Sequence, residues 1–255
     1  MTLTLKKSLG QHFLHDENMC RKIVAQVDRK AGLKLLEIGP GGGSISKYLL
    51  SWEDTDYKAI EIDDEKVAYL PKAFPAMEGK LIHQDFLKAE KPFEGSFSII
   101  GNFPYNISSQ ILFKILEWEE DVTEVVGMFQ KEVAQRVAAG EGNKAYGILS
   151  VLVQAFYRTE YLFDVPPSCF NPPPKVMSGI LKMTHAGNPF GIRNKKIFIQ
   201  LVKAAFNQRR KMLRNGLKAF YTADVLAGDI FSKRAEQLSV ADFVGLYELF
   251  LKTKE

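Results

Sequence analysis

The sequence predicts an α/β protein, a mostly parallel sheet wound with helices and followed by a small all-helical domain. Three observations carry this reading. Short apolar runs alternate with longer segments of helical period over residues 1–186. A glycine-rich turn, Gly39-Pro40-Gly41-Gly42-Gly43, follows the first apolar run. Past Gly187-Asn188-Pro189 and Gly191 the strand-like runs stop and helical spacing continues.

A helix is expected at Glu17–Arg29, ahead of a strand at Lys34–Ile38. The turn then feeds a helix at Ser44–Leu50, with Ser44 as its cap. Strands at Tyr57–Ile62 and Lys80–His83 enclose a helix at Glu65–Lys72. A strand at Phe97–Gly101 leads into a helix at Ser108–Trp118, and one at Glu124–Phe129 into a helix at Lys131–Ala138. Leu149–Ala155 and Val176–Met183 read as the last two strands. Helical spacing returns at Lys195–Phe206, Arg210–Phe220 and Val240–Lys252, which divides the chain into a sheet domain at 1–186 and a helical domain at 187–255.

With 255 residues, 46% of them apolar, the chain can close one substantial core, which excludes a disordered tail. The net charge of +4 is unevenly placed: residues 187–255 carry 13 Lys and Arg against 6 Asp and Glu. Two cysteines exclude a disulfide framework, and four histidines without ligand spacing give no reason to expect a metal. The start lacks an apolar stretch of signal-peptide length, and no run of about 18 apolar residues occurs, so a cytoplasmic protein is expected.

The glycine turn points to a ligand. Glycines allow positive φ and remove the Cβ atoms that would hold a nucleoside off the backbone, although a bare tight turn is an even alternative. Glu61 closes the second strand about 20 residues later, where a carboxylate can accept from ribose hydroxyls. Ser44 stands where the dinucleotide fingerprint needs its third glycine, which favours a cofactor without a pyrophosphate. Asp85, after the third strand, is a candidate acceptor for an adenine amine or else a helix cap.

Asn102-Phe103-Pro104-Tyr105 ends the fourth strand on the same side. An exocyclic adenine amine is a poor nucleophile because its lone pair is delocalised, so an enzyme must hold it between acceptors. Asn102 offers a side-chain carbonyl and Pro104 a backbone carbonyl, while Tyr105 offers a flat face for an extruded base. Taken alone, the segment is an ordinary strand-ending turn.

Together these residues resemble the small-subunit ribosomal RNA adenine dimethyltransferase family. The likeness also covers Lys7–Leu14, Gln84-Asp85, Asn106-Ile107-Ser108, Gln130-Lys131-Glu132, Phe170–Val176 and Phe206–Lys211. The resemblance implies a Rossmann-like class I methyltransferase sheet with helices on both faces and S-adenosylmethionine as cofactor. It implies cofactor contacts at His12, Leu14, Gly39, Gly41, Glu61, Asp85 and Asn102. It also implies that Phe170 faces Tyr105 across the target base. Phe103 departs from the leucine common in the family, where only the backbone matters.

Between Gly191 and Ala223 lie nine basic residues and no acidic one, an imbalance that suits a polyanion better than a merely solvated face. Lys6, Lys7, Lys175, Arg209, Arg210, Lys211 and Arg214 are therefore the RNA-binding candidates. The expected activity is N6,N6-dimethylation of two adjacent adenosines near the 3′ end of small-subunit rRNA, by a monomer acting on a 30S-type particle. Methylation of large-subunit RNA or DNA adenine, a non-catalytic assembly factor and a nicotinamide oxidoreductase are the alternatives weighed. Ser44 and the lack of a hydride-transfer acid or base disfavour the last.

Overall fold

A computed structural model describes residues 12–254. Within these, the chain forms two compact units: residues 12–134 with 160–185, and residues 135–159 with 186–254. A cut at 186/187 differs from this at Ala186 and in the segment 135–159, both of which group with the helices.

The first unit holds a seven-stranded sheet in the order β4-β3-β2-β5-β6-β9-β7. These strands are β2 (Leu33–Ile38), β3 (Thr55–Glu61), β4 (Leu81–His83), β5 (Phe97–Asn102), β6 (Val122–Gln130), β7 (Tyr157–Val165) and β9 (Ser178–His185). β2 runs parallel to β3 and to β5, β3 to β4, and β5 to β6, whereas β9 is antiparallel to β6. Leu35, Leu36, Ile99, Ile100, Val125 and Val126 are almost wholly buried, as parallel strands covered on both faces require. Because β2 continues to β3 on one side and borders β5 on the other, the strand order reverses beside β2, the place where such sheets open a crevice. A separate ribbon pairs β1 (Phe13–Leu14) with β8 (Phe170–Asn171), Leu14 lying opposite Phe170.

Helices α1 (Glu17–Val24), α2 (Ser46–Leu49), α3 (Asp64–Ala73) and α4 (Ser108–Glu117) connect these strands. Asp16 caps α1 by accepting from the Met19 N–H at 2.9 Å, and Asp63 caps α3 by accepting from Glu65 at 3.1 Å. Ser44 does not cap α2 as expected; the helix begins two residues later, after Ile45, with no side-chain cap.

Helices α5 (Lys131–Ala138), α6 (Ile148–Gln154), α7 (Lys195–Asn207), α8 (Leu213–Gly216), α9 (Ala223–Leu226) and α10 (Val240–Lys252) complete the chain. The strand expected at Leu149–Ala155 is α6. All of Leu149 to Val153 is buried, so no polar stripe betrays the helical period. Ser150 accepts the Gly147 N–H and donates to the Arg136 carbonyl, securing the helix start. The strand instead lies just beyond, at β7, whose charged Arg158, Glu160 and Asp164 face water. The helix expected at Arg210–Phe220 shrinks to α8, which Met212 precedes in an extended conformation, and Gly216 packs closely on the preceding helix. A Cβ there would lie 2.6 Å from the Ala204 carbonyl oxygen. The core of this unit is aromatic, with Phe206 stacked on Phe243 at 5.6 Å and Phe198 edge-on to Tyr247 at 5.8 Å.

Candidate active site

The first unit opens a cavity of 260 Å³ at the C-terminal ends of β2, β3 and β5. Its walls are the glycine turn after β2, Ile60 to Ile62, Gln84 to Leu87 after β4 and Asn102 to Ile107 after β5, with His12 to Leu14 of β1 alongside. The sheet thus gathers residues 12 to 107 at its point of strand reversal.

The turn needs its glycines for two reasons. Gly39, Gly41 and Gly43 have φ of +67°, +58° and +80°. A Cβ on Gly43 would also lie 2.3 Å from the Phe74 ring, whereas one on Gly41 would meet the Phe13 ring only at 3.7 Å.

Glu61 is 6% exposed and held by backbone. Its Oε2 accepts from Gly41 N–H at 3.1 Å, and its Oε1 accepts from Ile62 at 2.9 Å and Asp63 at 3.0 Å. A carboxylate has roughly four acceptor positions, so about one remains for a ligand while the Gly41 bond persists. Asp85 lines the cavity, and its Oδ1 caps the turn at Phe86–Lys88 by accepting from the Leu87 N–H at 3.0 Å.

Two further charged residues line the cavity that sequence reasoning did not single out. Glu37, 2% exposed, accepts from the Tyr57 hydroxyl at 2.5 Å. Burial pushes its carboxyl up to about 7, against the pull of the Tyr57 hydroxyl, and the neighbouring Glu61 charge adds to the rise. Lys66, 3% exposed, sets its ammonium 5.3 Å from the centre of the Phe13 ring and 3.9 Å from Asp63. A lysine on a helix ordinarily faces water, so its inward turn leaves no sequence signal.

In the corner after β5, the Asn102 amide nitrogen donates to the His12 carbonyl at 3.3 Å, which turns Oδ1 toward other partners. The Pro104 carbonyl accepts from Ile107 N–H at 3.2 Å and retains a second lone pair. Tyr105 shares a 2.5 Å hydrogen bond with the Ser178 hydroxyl, and burial pushes its phenol up. Phe103 is a core plug, 1% exposed and edge-on to Phe129 at 5.0 Å. It fits because Gly101 and Gly127 lack side chains; Cβ atoms there would come within 2.6 and 2.5 Å of its ring.

Phe170 differs from expectation. It is 2% exposed and packs in the hydrophobic core of the unit, outside the cavity lining, while Leu14, opposite it in the β1–β8 ribbon, lines the cavity. The ring stacked on Tyr105 is that of His12, with centroids 5.8 Å apart and planes 27° apart. The His12 Nδ1–H donates to the Pro172 carbonyl at 2.9 Å.

Of the basic candidates, Lys6 and Lys7 lie outside the described residues, and Lys175 is exposed after the proline run. In the second unit Arg210 and Lys211 face solvent. Arg209 instead donates Nε to Glu236 at 2.9 Å and Nη2 to the Lys144 carbonyl at 2.6 Å. Arg214 donates Nε to the Phe231 carbonyl at 3.4 Å. Among the described residues, no group of three or more His, Cys, Asp or Glu is placed to hold a metal ion. No helix among them is long and apolar enough to cross a membrane.

A family model described as ribosomal RNA adenine dimethylase matches residues 2–252. Proteins named ribosomal RNA small subunit methyltransferase A are similar over nearly the whole chain. The one from Cytophaga hutchinsonii is 50% identical over 94% of this chain and 95% of its own, and that from Flavobacterium johnsoniae 51% over 94% of each. The crystal structure of a dimethyladenosine transferase from Plasmodium falciparum superposes with a TM-score of 0.83 at 27% identity, covering 95% of this chain and 98% of that one. A 23S rRNA methyltransferase, ErmE, shares the fold, with a TM-score of 0.70 at 22% identity over 92% of this chain and 99% of its own. The chain therefore belongs to the ribosomal RNA adenine dimethylase family.

Proposed function

We propose that this protein transfers methyl groups from S-adenosylmethionine to the N6 amines of two adjacent adenosines near the 3′ end of small-subunit rRNA, giving N6,N6-dimethyladenosine. The observation that carries the reading is the corner after β5. Asn102 Oδ1 and one lone pair of the Pro104 carbonyl are left as acceptors beside a cavity lined for a nucleoside. Family membership and the relatives' names support the choice of substrate.

The cavity suits the cofactor. Glu61 and Asp85 offer carboxylate acceptors to a nucleoside, and Ile60, Ile62, Phe86 and Leu87 offer apolar surface to a purine. In this assignment Glu61 takes a ribose hydroxyl and Asp85 an adenine amine. Gly39 and Gly41 lie along the ligand, and His12 and Leu14 cover it. The cofactor supplies an electrophilic methyl carbon on a sulfonium centre. Asn102 and Pro104 accept the two amine hydrogens and so aim the nitrogen lone pair, while Tyr105 stacks on the base. Water can take the proton that alkylation makes acidic, so no tuned general base is needed.

In the helical unit Arg210 and Lys211 contact RNA; Lys175 is a separate RNA-contact candidate in the sheet unit, and Lys6 and Lys7 are candidates outside the described residues. Arg209 and Arg214 support that surface from within the helical unit. The enzyme acts as a cytoplasmic monomer on a 30S-type particle. The test is incubation with radiolabelled S-adenosylmethionine and unmethylated 30S particles, followed by nucleoside identification, with protein-free 23S RNA and DNA as controls. Labelled dimethyladenosine in the particle is expected; label confined to either control would overturn the assignment.

A further inference from the structure

We infer that Lys66 is a positioning residue that latches the β1 strap over the cavity through the Phe13 ring. The latch is a contact within the protein; the identity of the ligand it covers rests on the proposed function. Lys66 lines the cavity from α3, three residues after the cap Asp63, and its ammonium lies over the Phe13 ring, 5.3 Å from the ring centre. The same ring rests on the glycine turn, 3.7 Å from where a Cβ on Gly41 would stand. Phe13 thus joins α3 to the turn after β2 while its backbone pairs with β8.

A lysine in this place needs a reason. At 3% exposure its ammonium has left water, and a leucine would fill the volume without that penalty. Asp63, itself 3% exposed and fixed as the α3 cap by the Glu65 N–H, stands 3.9 Å from the ammonium and offsets its burial. What the cation adds is attraction to the face of a ring, which strengthens where water is excluded. Backbone bonds hold the strap at its two ends: the His12 carbonyl accepts from the Asn102 amide, and the His15 N–H donates to the Cys169 carbonyl. Neither bond reaches α3. A strand of two residues is too short to persist by its ladder alone, so side-chain contacts decide how often it opens.

Two substitutions address the latch from its two halves. Lys66→Met keeps the length of the side chain and removes the charge; Phe13→Leu removes the ring. Amide exchange in the ligand-free protein, by NMR, and dissociation of S-adenosylmethionine, by stopped flow, are measured on each variant and on the double variant. A latch predicts that either substitution speeds exchange at Phe13 and Leu14 by about three- to thirtyfold, leaves exchange across β2 unchanged and speeds donor dissociation, with the double variant no faster than Phe13→Leu. Unchanged exchange at β1 in Lys66→Met, or faster exchange across β2 as well, would overturn the inference. So would faster dissociation when Lys66→Met is added to Phe13→Leu, since Lys66 would then touch the ligand directly. Failure of the native protein to bind S-adenosylmethionine would overturn the proposed function, while exchange in the ligand-free protein still decides the latch.

Discussion

The two units use polar groups in opposite ways. In the sheet unit the groups of the site are immobilised: Glu61 by three backbone N–H groups, Asn102 by His12, Tyr105 by Ser178. In the helical unit Arg210 and Lys211 stand in water, while Arg209 and Arg214 near them are bonded to the protein. Fixed dipoles can orient a reacting nitrogen without reorganising, whereas mobile cations give affinity without register. Damage to the first region should therefore be steep and insensitive to salt, and damage to the second graded and salt-dependent.

The sharpest break is Asn102→Ala. Radiolabelled methyl transfer should fall by about 10²–10³ or more, with thermal unfolding little changed. Near-normal turnover would show that the corner does not aim the amine.

Next comes the glycine turn. Gly43→Ala adds a Cβ that the Phe74 ring already excludes, at a positive φ, and should cost about 3 kcal/mol in urea unfolding. Gly41→Ala meets only ordinary contact with Phe13 and should cost about 1 kcal/mol, the φ strain alone. Equal costs would mean that crowding plays no part.

Glu37 gives a pH test of the same region. Its carboxyl, raised from 4.5 to about 7, binds more protons in the folded state than in the unfolded one across that range. Stability therefore falls as pH rises through the interval, and the penalty is complete above it. Unfolding measured at pH 5 and pH 8 should show Glu37→Gln gaining on the native protein by up to about 3 kcal/mol at the higher pH. A constant difference would mean that the carboxyl titrates normally.

The smallest effect belongs to the helical unit. Arg210→Ala with Lys211→Ala should flatten the slope of log affinity for 30S particles against log salt by about 1.5–2, leaving thermal unfolding and S-adenosylmethionine affinity unchanged. Arg209→Ala should instead lower stability by about 1 kcal/mol, since its bonds hold Glu236 and the Lys144 carbonyl. If Arg209 changes only the slope, the division between inward and outward cations fails.

What the sequence made legible follows from local signals. The five strands from β2 to β6 were readable as apolar runs, and the cavity's turn, Glu61, Asp85 and Asn102 as strand-end residues at fixed spacing. A wholly buried helix has no polar stripe, so α6 passed for a strand. Solvent-facing charges broke the apolar run of β7 and hid it. Within the site, Glu37 and Lys66 were invisible because their roles depend on which way a side chain turns. Phe170 reads as a core residue from the chain alone and as a wall only through the resemblance, and its burial becomes visible only in the structure.

The plug at Phe103 has a consequence for descent. Gly101, Phe103 and Gly127 occupy one shared volume, parcelled as two absences and one large ring. Each glycine also answers to a second neighbour, since a Cβ at Gly101 would lie 2.7 Å from the Ile38 carbonyl oxygen and one at Gly127 2.6 Å from the Phe129 ring. Residue 103 is therefore free to vary in size while both glycines stay fixed, and Gly127→Ala should remain harmful even beside Phe103→Leu.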